Sequence, residues 1–540
     1  MLRLAWRLQR SGLIGMSAFG VFYGILQAAA YGSVAGATPA ARQAFGRQME
    51  ALGRQLTLVL PLPHGIDSIA GFIQWRVYGA LPALFGFWAL MSAAGAARGD
   101  EERGLVERCL AEGVSRTRYV AVRCLGFVLA CALAVTLTSA AIDVGAAGGG
   151  SALPLGPLLQ VSLALFAVTL VIYGLTLALS QMVSSRTAAM GAAGLAVGGL
   201  YFVNGLSRSV ASLEPVARLL SPFYWYDRST PLYRGGSFDV AGTAGLLAVA
   251  IGLSVLGMWL MSVRDLGAPA IRIETRQRPS TVRPSANPLL RLPVLALVYE
   301  QRLGLLGWGL GCSALALYLG SISRQMVDLF KQASGFSAYL AAAGRGDPYT
   351  ALTGFLWFGI FQALLAVFAI TQVARWSGDD NEGRLETVLS APISRTRVVL
   401  ERALALVLRT AILIAATSLA LALGTQTAQI QLDPGSLARA SLVLVPFGVS
   451  FAAIGAALAG RVPRATVAVL SAFAFGSYLL TELGPLLRWP AWALRLSIFS
   501  LYGAPLSGGV DWTGLWIMSA VTVLGFAAGA VLMQRRDVGS

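Results

Sequence analysis

"DEERGLVERCLAEGVSRTRYVAVR" occupies residues 100–123, and "DDNEGRLETVLSAPISRTRVVLER" occupies residues 379–402. The two stretches align without a gap at a separation of 279 residues. Asp100 meets Asp379, Gly104 meets Gly383, Glu107 meets Glu386 and Leu110 meets Leu389. The run Ser115–Arg118 meets Ser394–Arg397, and Arg123 meets Arg402. Acid, glycine, acid and S-R-T-R at identical spacing mark an internal duplication.

The sequence around these charged stretches is apolar. Of 540 residues, 56% are hydrophobic and 12% charged, about half the charged fraction of a soluble domain. The chain therefore reads as an all-α polytopic membrane protein, because lipid offers the backbone no hydrogen-bond partners. Apolar runs of span length fall near 12–33, 77–97, 119–142, 157–182, 187–206 and 239–263. A second set falls near 304–322, 351–374, 398–423, 437–460, 465–483 and 512–533.

More pairs follow the duplication. "QRSGLIG" at 9–15 returns as "QRLGLLG" at 301–307, "LSPFYWY" at 220–226 as "LSIFSLY" at 496–502, and "VRDLG" at 263–267 as "RRDVG" at 535–539. The expected layout is twelve transmembrane helices in two six-helix repeats. Six is even, so the repeats are parallel. The halves are 1–267 and 289–540, joined by a Pro- and Arg-rich cytoplasmic linker at 268–288. The N-terminus resembles a signal peptide, but its counterpart lies mid-chain, so the first span is expected to be kept.

The net charge of +16 fits arginines flanking spans better than nucleic acid. With both termini, both charged loops and the linker in the cytoplasm, 26 arginines lie inside, against 13 plus Lys331 outside. That bias predicts a multi-pass protein of the cell membrane with both termini cytoplasmic. Arg3, Arg7 and Arg10 share one helix face and suit either an interfacial helix or a plain basic flank. Cys109, Cys124, Cys131 and Cys312 form no C-x-x-C pair, and His64 is a lone loop histidine, so no metal site is expected.

Each charged loop opens with acids, passes a glycine and forms a short helix. The chain then restarts at S-R-T-R, where Ser115 and Ser394 suit N-caps. Pro392 stops the second short helix, and Gly113 breaks the first. Leu105, Val106, Leu110, Leu385, Val388 and Leu389 give the short helices an apolar side, and Glu107 and Glu386 give them a charge. The positive-inside rule explains the arginines but not the acids. A surface that docks on another protein explains both, and two copies suit a symmetric partner.

At these residues the chain resembles permease subunits of ABC exporters, in the fused two-copy form associated with polyketide-antibiotic and multidrug export in actinobacteria. There the loop between spans two and three of each half reads E-x-G-x-x-E, a short helix, then P-[VI]-S-R. "NEGRLETVLSAPISR" fits closely, whereas "ERGLVERCLAEGVSR" carries Arg103 for the acid and Glu112-Gly113 for Ala-Pro. The resemblance implies coupling loops at 98–118 and 377–397. The residues carried over are Glu101, Glu102, Gly104, Glu107, Leu110, Ser115 and Arg116, and Asp380, Glu382, Gly383, Glu386, Leu389, Ser394 and Arg395. It also implies two copies of a separate nucleotide-binding subunit as partners, which would bind ATP and Mg.

The energy source must lie elsewhere. A P-loop needs a lysine in a glycine frame, and the single lysine sits in "DLFKQAS". No cofactor, catalytic residue or metal is expected in the chain itself. The alternative is a proton-driven secondary multidrug transporter of the major-facilitator type. Its loop is shorter, and carboxylates would be expected inside its spans, where Asp143 and Glu482 reach only span ends. The resemblance implies a translocation path lined by the first, second and fifth spans of each half, with Trp88, Tyr201, Phe202, Trp357, Phe361 and Tyr478 as candidates. Arg409, about two turns into a span where the first copy has Ala130, is either functional or snorkelling to the headgroups. The expected cargo is a lipophilic small molecule.

Overall fold

Each apolar run falls in helical backbone, as a chain in lipid requires. The structure is a computed structural model that describes residues 1–36, 38–53, 57, 60–270, 288–331, 347–381, 383–462, 465–483 and 489–535. Among these residues there is no strand. The chain divides into two compact units, Met1–Arg278 and Pro279–Ser540.

In unit 1 the principal helices are α1 (Leu2–Ala35), α2 (Pro39–Gly53), α3 (Ile69–Glu102), α4 (Leu105–Ala111), α5 (Arg116–Gly148), α6 (Leu155–Gln181), α7 (Arg186–Ser207) and α8 (Val240–Val263). In unit 2 they are α9 (Pro293–Glu300), α10 (Arg302–Lys331), α11 (Pro348–Asn381), α12 (Arg384–Leu389), α13 (Arg395–Thr427), α14 (Pro434–Arg461), α15 (Thr466–Leu483) and α16 (Trp512–Arg535). Eleven helices among the described residues are long and apolar enough to cross a membrane. The apolar part of α15, Thr466–Thr481, is shorter, so the count stops one short of the expected twelve. The chain is a multi-pass membrane protein.

Small residues set the helix pairs, as expected where lipid removes the hydrophobic drive between helices. In unit 1, α1 lies on α5. A side chain at Gly20 would meet Thr138 Oγ1 at 2.2 Å, and one at Gly24 would meet Ile142 at 2.6 Å. In unit 2, α10 lies on α13 through Gly320 and Gly424. The last span packs on the fourth in both units: Gly257 of α8 against Leu177 of α6, and Gly529 of α16 against Ala456 of α14. Serine pairs bridge the third and fourth spans. Ser139 Oγ lies 2.7 Å from Ser162 Oγ, and Ser418 Oγ 2.7 Å from Ser441 Oγ.

The units also differ. α1 is continuous from Leu2, so Arg3, Arg7 and Arg10 sit on its first turns and form no separate interfacial helix. At the matching stretch of unit 2 the chain breaks at Gln301, between α9 and α10. α3 contains wide π-helical turns at Ile73–Val77 and Gly95–Gly99, whereas α11 runs as α-helix throughout. Between the first two apolar runs lies a further helix, α2, whose Phe45 and Met49 pack on Tyr31 and Phe72.

Candidate functional site

The backbone of the charged loop is nearly the same in both copies. Gly104 has φ +65° and Gly383 has φ +72°, the left-handed region that glycine enters without a Cβ penalty. Each turns the chain out of a long helix and into a short one. The short helices end near Ala111 and Leu389. Ser115 Oγ then accepts from Arg118 N at 3.3 Å, and Ser394 Oγ accepts from Arg397 N at 3.3 Å. Both serines are N-caps, as the sequence predicted, and the helices they cap are 33 residues each.

The arginine after each serine reaches back to the end of its unit's last span. Arg116 donates to Arg264 O at 2.6 Å. Arg395 donates to Met533 O at 2.9 Å and to Gln534 O at 3.3 Å. Each loop is thereby tied to the helix that closes its unit.

Most of the apolar side of each short helix points inward. Val106 and Cys109 in α4, and Leu385 in α12, are buried, and Leu110 and Leu389 are half-buried. Val106, Cys109 and Leu385 thus seat the short helices on their own units, whereas Val388 of the expected apolar side is exposed. The outward face carries Glu107, Arg108 and Glu112 in the first copy, and Glu386, Thr387 and Val388 in the second. Burial, with the Glu112 and Asp100 carboxylates nearby, pushes the Cys109 thiol above its ordinary range.

The acids before the glycine are held in place. Asp100 is fully buried and accepts from Tyr119 Oη at 2.7 Å and from the Arg103 guanidinium, and it forms an ion pair with Arg123, whose Nε lies 2.9 Å away. Glu101 is buried and accepts from Arg98 at 2.9 Å, from both terminal nitrogens of Arg264 at 2.9 and 2.7 Å, and from Gly267 N at 2.6 Å. Arg264 also donates to Gln181 Oε1 at 2.8 Å. Glu102 is exposed and accepts from Arg186 N at 2.7 Å. In unit 2, Asp379 binds Arg402 at 2.9 Å, matching Asp100 and Arg123. Asp380 is half-buried, and Glu382 lies outside the described residues.

The candidate path residues have separate surroundings. Trp88 packs tilted on Phe127, and Tyr201 edge-on to Phe223. Trp357 and Phe361 are fully buried and stacked, with the Trp357 Nε1 donor unpartnered. Phe202 is exposed, and Tyr478 sits edge-on to Phe499. Arg409 does not snorkel. It is buried, donating to Gln372 Oε1 on α11 at 2.8 Å and to Ala405 O at 3.1 Å.

At the other end of α3 from Glu101, a cavity of about 440 Å³ is lined by residues including His64, Tyr78, Arg208, Asp227 and Tyr233, with Arg208 bound to Asp227 at 2.6 Å. Arg98, Arg264 and Gln372 were not singled out from the sequence. In the alignment of the two copies, Arg98 faces Ser377 and Gln372 faces Ala93.

The model of a protein family described as "Multidrug efflux system permease Rv1217c, C-terminal domain" matches residues 1–261 and 290–534. The chain belongs to this family. The multidrug efflux system permease protein Rv1217c of Mycobacterium tuberculosis (strain ATCC 25618 / H37Rv) is 27% identical over 298 residues. That alignment covers 54% of this chain and 52% of the relative, about half the relative's length. Both charged loops of this Rv1217c-family chain lie within the matched residues.

Proposed function

We propose that the chain is the membrane-spanning permease subunit of an ATP-driven exporter of lipophilic drugs or polyketide-type antibiotics. In this reading it has twelve spans in two parallel halves, 1–267 and 289–540, joined by 268–288. Two separate ATPase subunits dock on the loops 98–118 and 377–397 and supply ATP and Mg. Both termini and both loops face the cytoplasm.

The observation that carries the reading is the doubled loop. In each copy a left-handed glycine, a short helix seated by its apolar side, and a serine-capped helix present one glutamate, Glu107 or Glu386, on an exposed face. A surface held this firmly transmits force rather than absorbing it, because its base is bonded to the ends of the spans. The family name and the apolar spans support a drug-like cargo.

The test is biochemical. The purified chain alone should hydrolyse no ATP, and a stable complex with its ATPase should contain two ATPase subunits per chain. Robust ATPase activity from the chain by itself would overturn the reading, as would a functional complex holding a single ATPase subunit.

A further inference from the structure

The first turns of α1 present two arginines that nothing in unit 1 neutralises. Arg3 and Arg7 are exposed, and neither makes a side-chain hydrogen bond or ion pair among the described residues. With Trp6 and Ile14 they share one face of the helix. The opposite face is committed to the protein. Gln9 Nε2 donates to Ser92 Oγ of α3 at 2.8 Å, and Ala5 lies so close to Gly126 of α5 that a side chain there would meet its Cβ at 3.1 Å.

Beside that contact is a groove of about 390 Å³, lined by Arg3, Trp6, Arg7, Gly126 and Leu129. Leu129 belongs to a row on α5, with Leu125, Leu133 and Leu137, spaced about one turn apart and each at least 40% exposed. The two helices run parallel, because Ala5 lies against Gly126 and Gly20 against Thr138. The arginines therefore sit at the end where the first charged loop enters α5, and the leucines lead away from them along the span. Unit 2 has no equivalent. The pairing of "QRSGLIG" with "QRLGLLG" sets Leu295, Val298 and Tyr299 opposite Arg3, Trp6 and Arg7, and the helix breaks at Gln301.

We propose that this groove binds one anionic phospholipid, with its phosphate between the Arg3 and Arg7 guanidiniums and an acyl chain along Leu129, Leu133 and Leu137. A guanidinium offers planar N–H donors that match phosphate oxygens two at a time. An exposed leucine row in a span takes hydrocarbon, and a tryptophan suits the level of the head groups between the two. The volume is roughly a dozen times the ~30 Å³ share of one water, which leaves room for a glycerophosphate head group. Charge selects among lipids: a head group that also carries an ammonium brings a cation toward two unneutralised arginines. Bound there, the lipid covers the start of the α1–α5 contact from outside, in unit 1 alone. The site needs neither an ATPase nor a cargo, so it is independent of the exporter reading.

The test uses the full-length chain, purified in detergent, stripped of lipid and offered equal amounts of phosphatidylglycerol and phosphatidylcholine with matched acyl chains. Native mass spectrometry counts the lipids retained. One phosphatidylglycerol should be retained in preference to phosphatidylcholine, by roughly tenfold or more at about fivefold per arginine. Arg3→Ala/Arg7→Ala should abolish the preference, and Arg3→Lys/Arg7→Lys should keep part of it. Arg302→Ala/Arg375→Ala removes the same charge from exposed positions of unit 2 and should leave the preference unchanged. Millimolar inorganic phosphate should not displace the lipid, because it offers nothing to the leucine row.

Equal retention of the two lipids by the unaltered chain, an equal loss from the unit 2 variant, or displacement by phosphate alone would overturn the proposal. A second measurement needs no mass spectrometry. Phosphatidylglycerol should raise the melting temperature of the stripped chain by about 2–4 °C more than phosphatidylcholine does. The two lipids should act alike on Arg3→Ala/Arg7→Ala, which removes exposed, unbonded side chains and so leaves the fold intact. A continued excess for phosphatidylglycerol in that variant would overturn the proposal.

Discussion

The two charged loops share a left-handed glycine and a serine cap but rest on different foundations. Both turn on a left-handed glycine, and both restart at a serine cap followed by an arginine tied to the last span. Beneath the first loop, Glu101 joins Arg98 and Arg264 in a buried cluster that also engages Gln181 and Gly267. Beneath the second, Ser377 and Gly460 replace Arg98 and Gln181, and a cavity remains. The outward shape of a loop can thus be kept through duplication while the charges beneath it change.

The largest expected effect tests the foundation directly. Glu101→Ala removes the carboxylate that, among the described residues, bonds both Arg98 and Arg264, two side chains with almost no exposure. Removing one partner of a buried ion cluster strands the remaining charges, at a cost of about 3–5 kcal/mol. Asp380→Ala, at a half-buried position, should cost about 1 kcal/mol or less. Thermal unfolding of the two variants in the same detergent measures the difference. Equal losses would break the comparison. Glu101→Gln should recover part of the loss, because it keeps an acceptor for the arginines but not the charge.

A smaller effect is expected at the outward face. Glu386→Ala should weaken coupling more than Glu107→Ala, because the second loop has the fuller motif. A hot-spot side chain contributes about 2 kcal/mol, which is roughly thirtyfold in affinity for the docked subunit. Drug-stimulated ATPase and transport, at matched protein levels, are the readouts. Wild-type behaviour from both single mutants and from the double mutant would remove the docking model while leaving the fold intact.

Local signals explain what was legible in the sequence. Hydropathy located the spans, since each apolar run lies in a helix. The φ values of Gly104 and Gly383 and the caps at Ser115 and Ser394 follow from residue types whose preferences act within a few positions. Glu101 meets Arg264 across 163 residues, and nothing in either neighbourhood announces that pairing. The short helix's apolar side was visible, but its direction was not: Val106 and Leu385 suit a partner's groove as well as their own unit's core. The apolar part of α15 among the described residues, Thr466–Thr481, is 16 residues long, about 24 Å of helix rise, and residues 484–488 after it lie outside the described residues.

The smallest effect tests the feature that the copies have in common. Ser115 Oγ and Ser394 Oγ accept at the same distance from the third residue of an equally long helix. An N-cap satisfies one of the first-turn donors that have no helical partner, and replacing such a serine by alanine costs about 1 kcal/mol. Because both serines are exposed, neither loss is compounded by a buried unpaired atom. Ser115→Ala and Ser394→Ala should therefore destabilise their helices by similar amounts, and the double variant by about the sum, as expected for distant sites. Hydrogen exchange at the first turns of α5 and α13 reports each helix start separately. If Ser115→Ala proves much the more costly, the buried Asp100–Tyr119–Arg123 cluster depends on the cap, and the asymmetry extends beyond the foundation into the loop itself. If the two match, the difference between the copies is confined to the charges and the cavity beneath them.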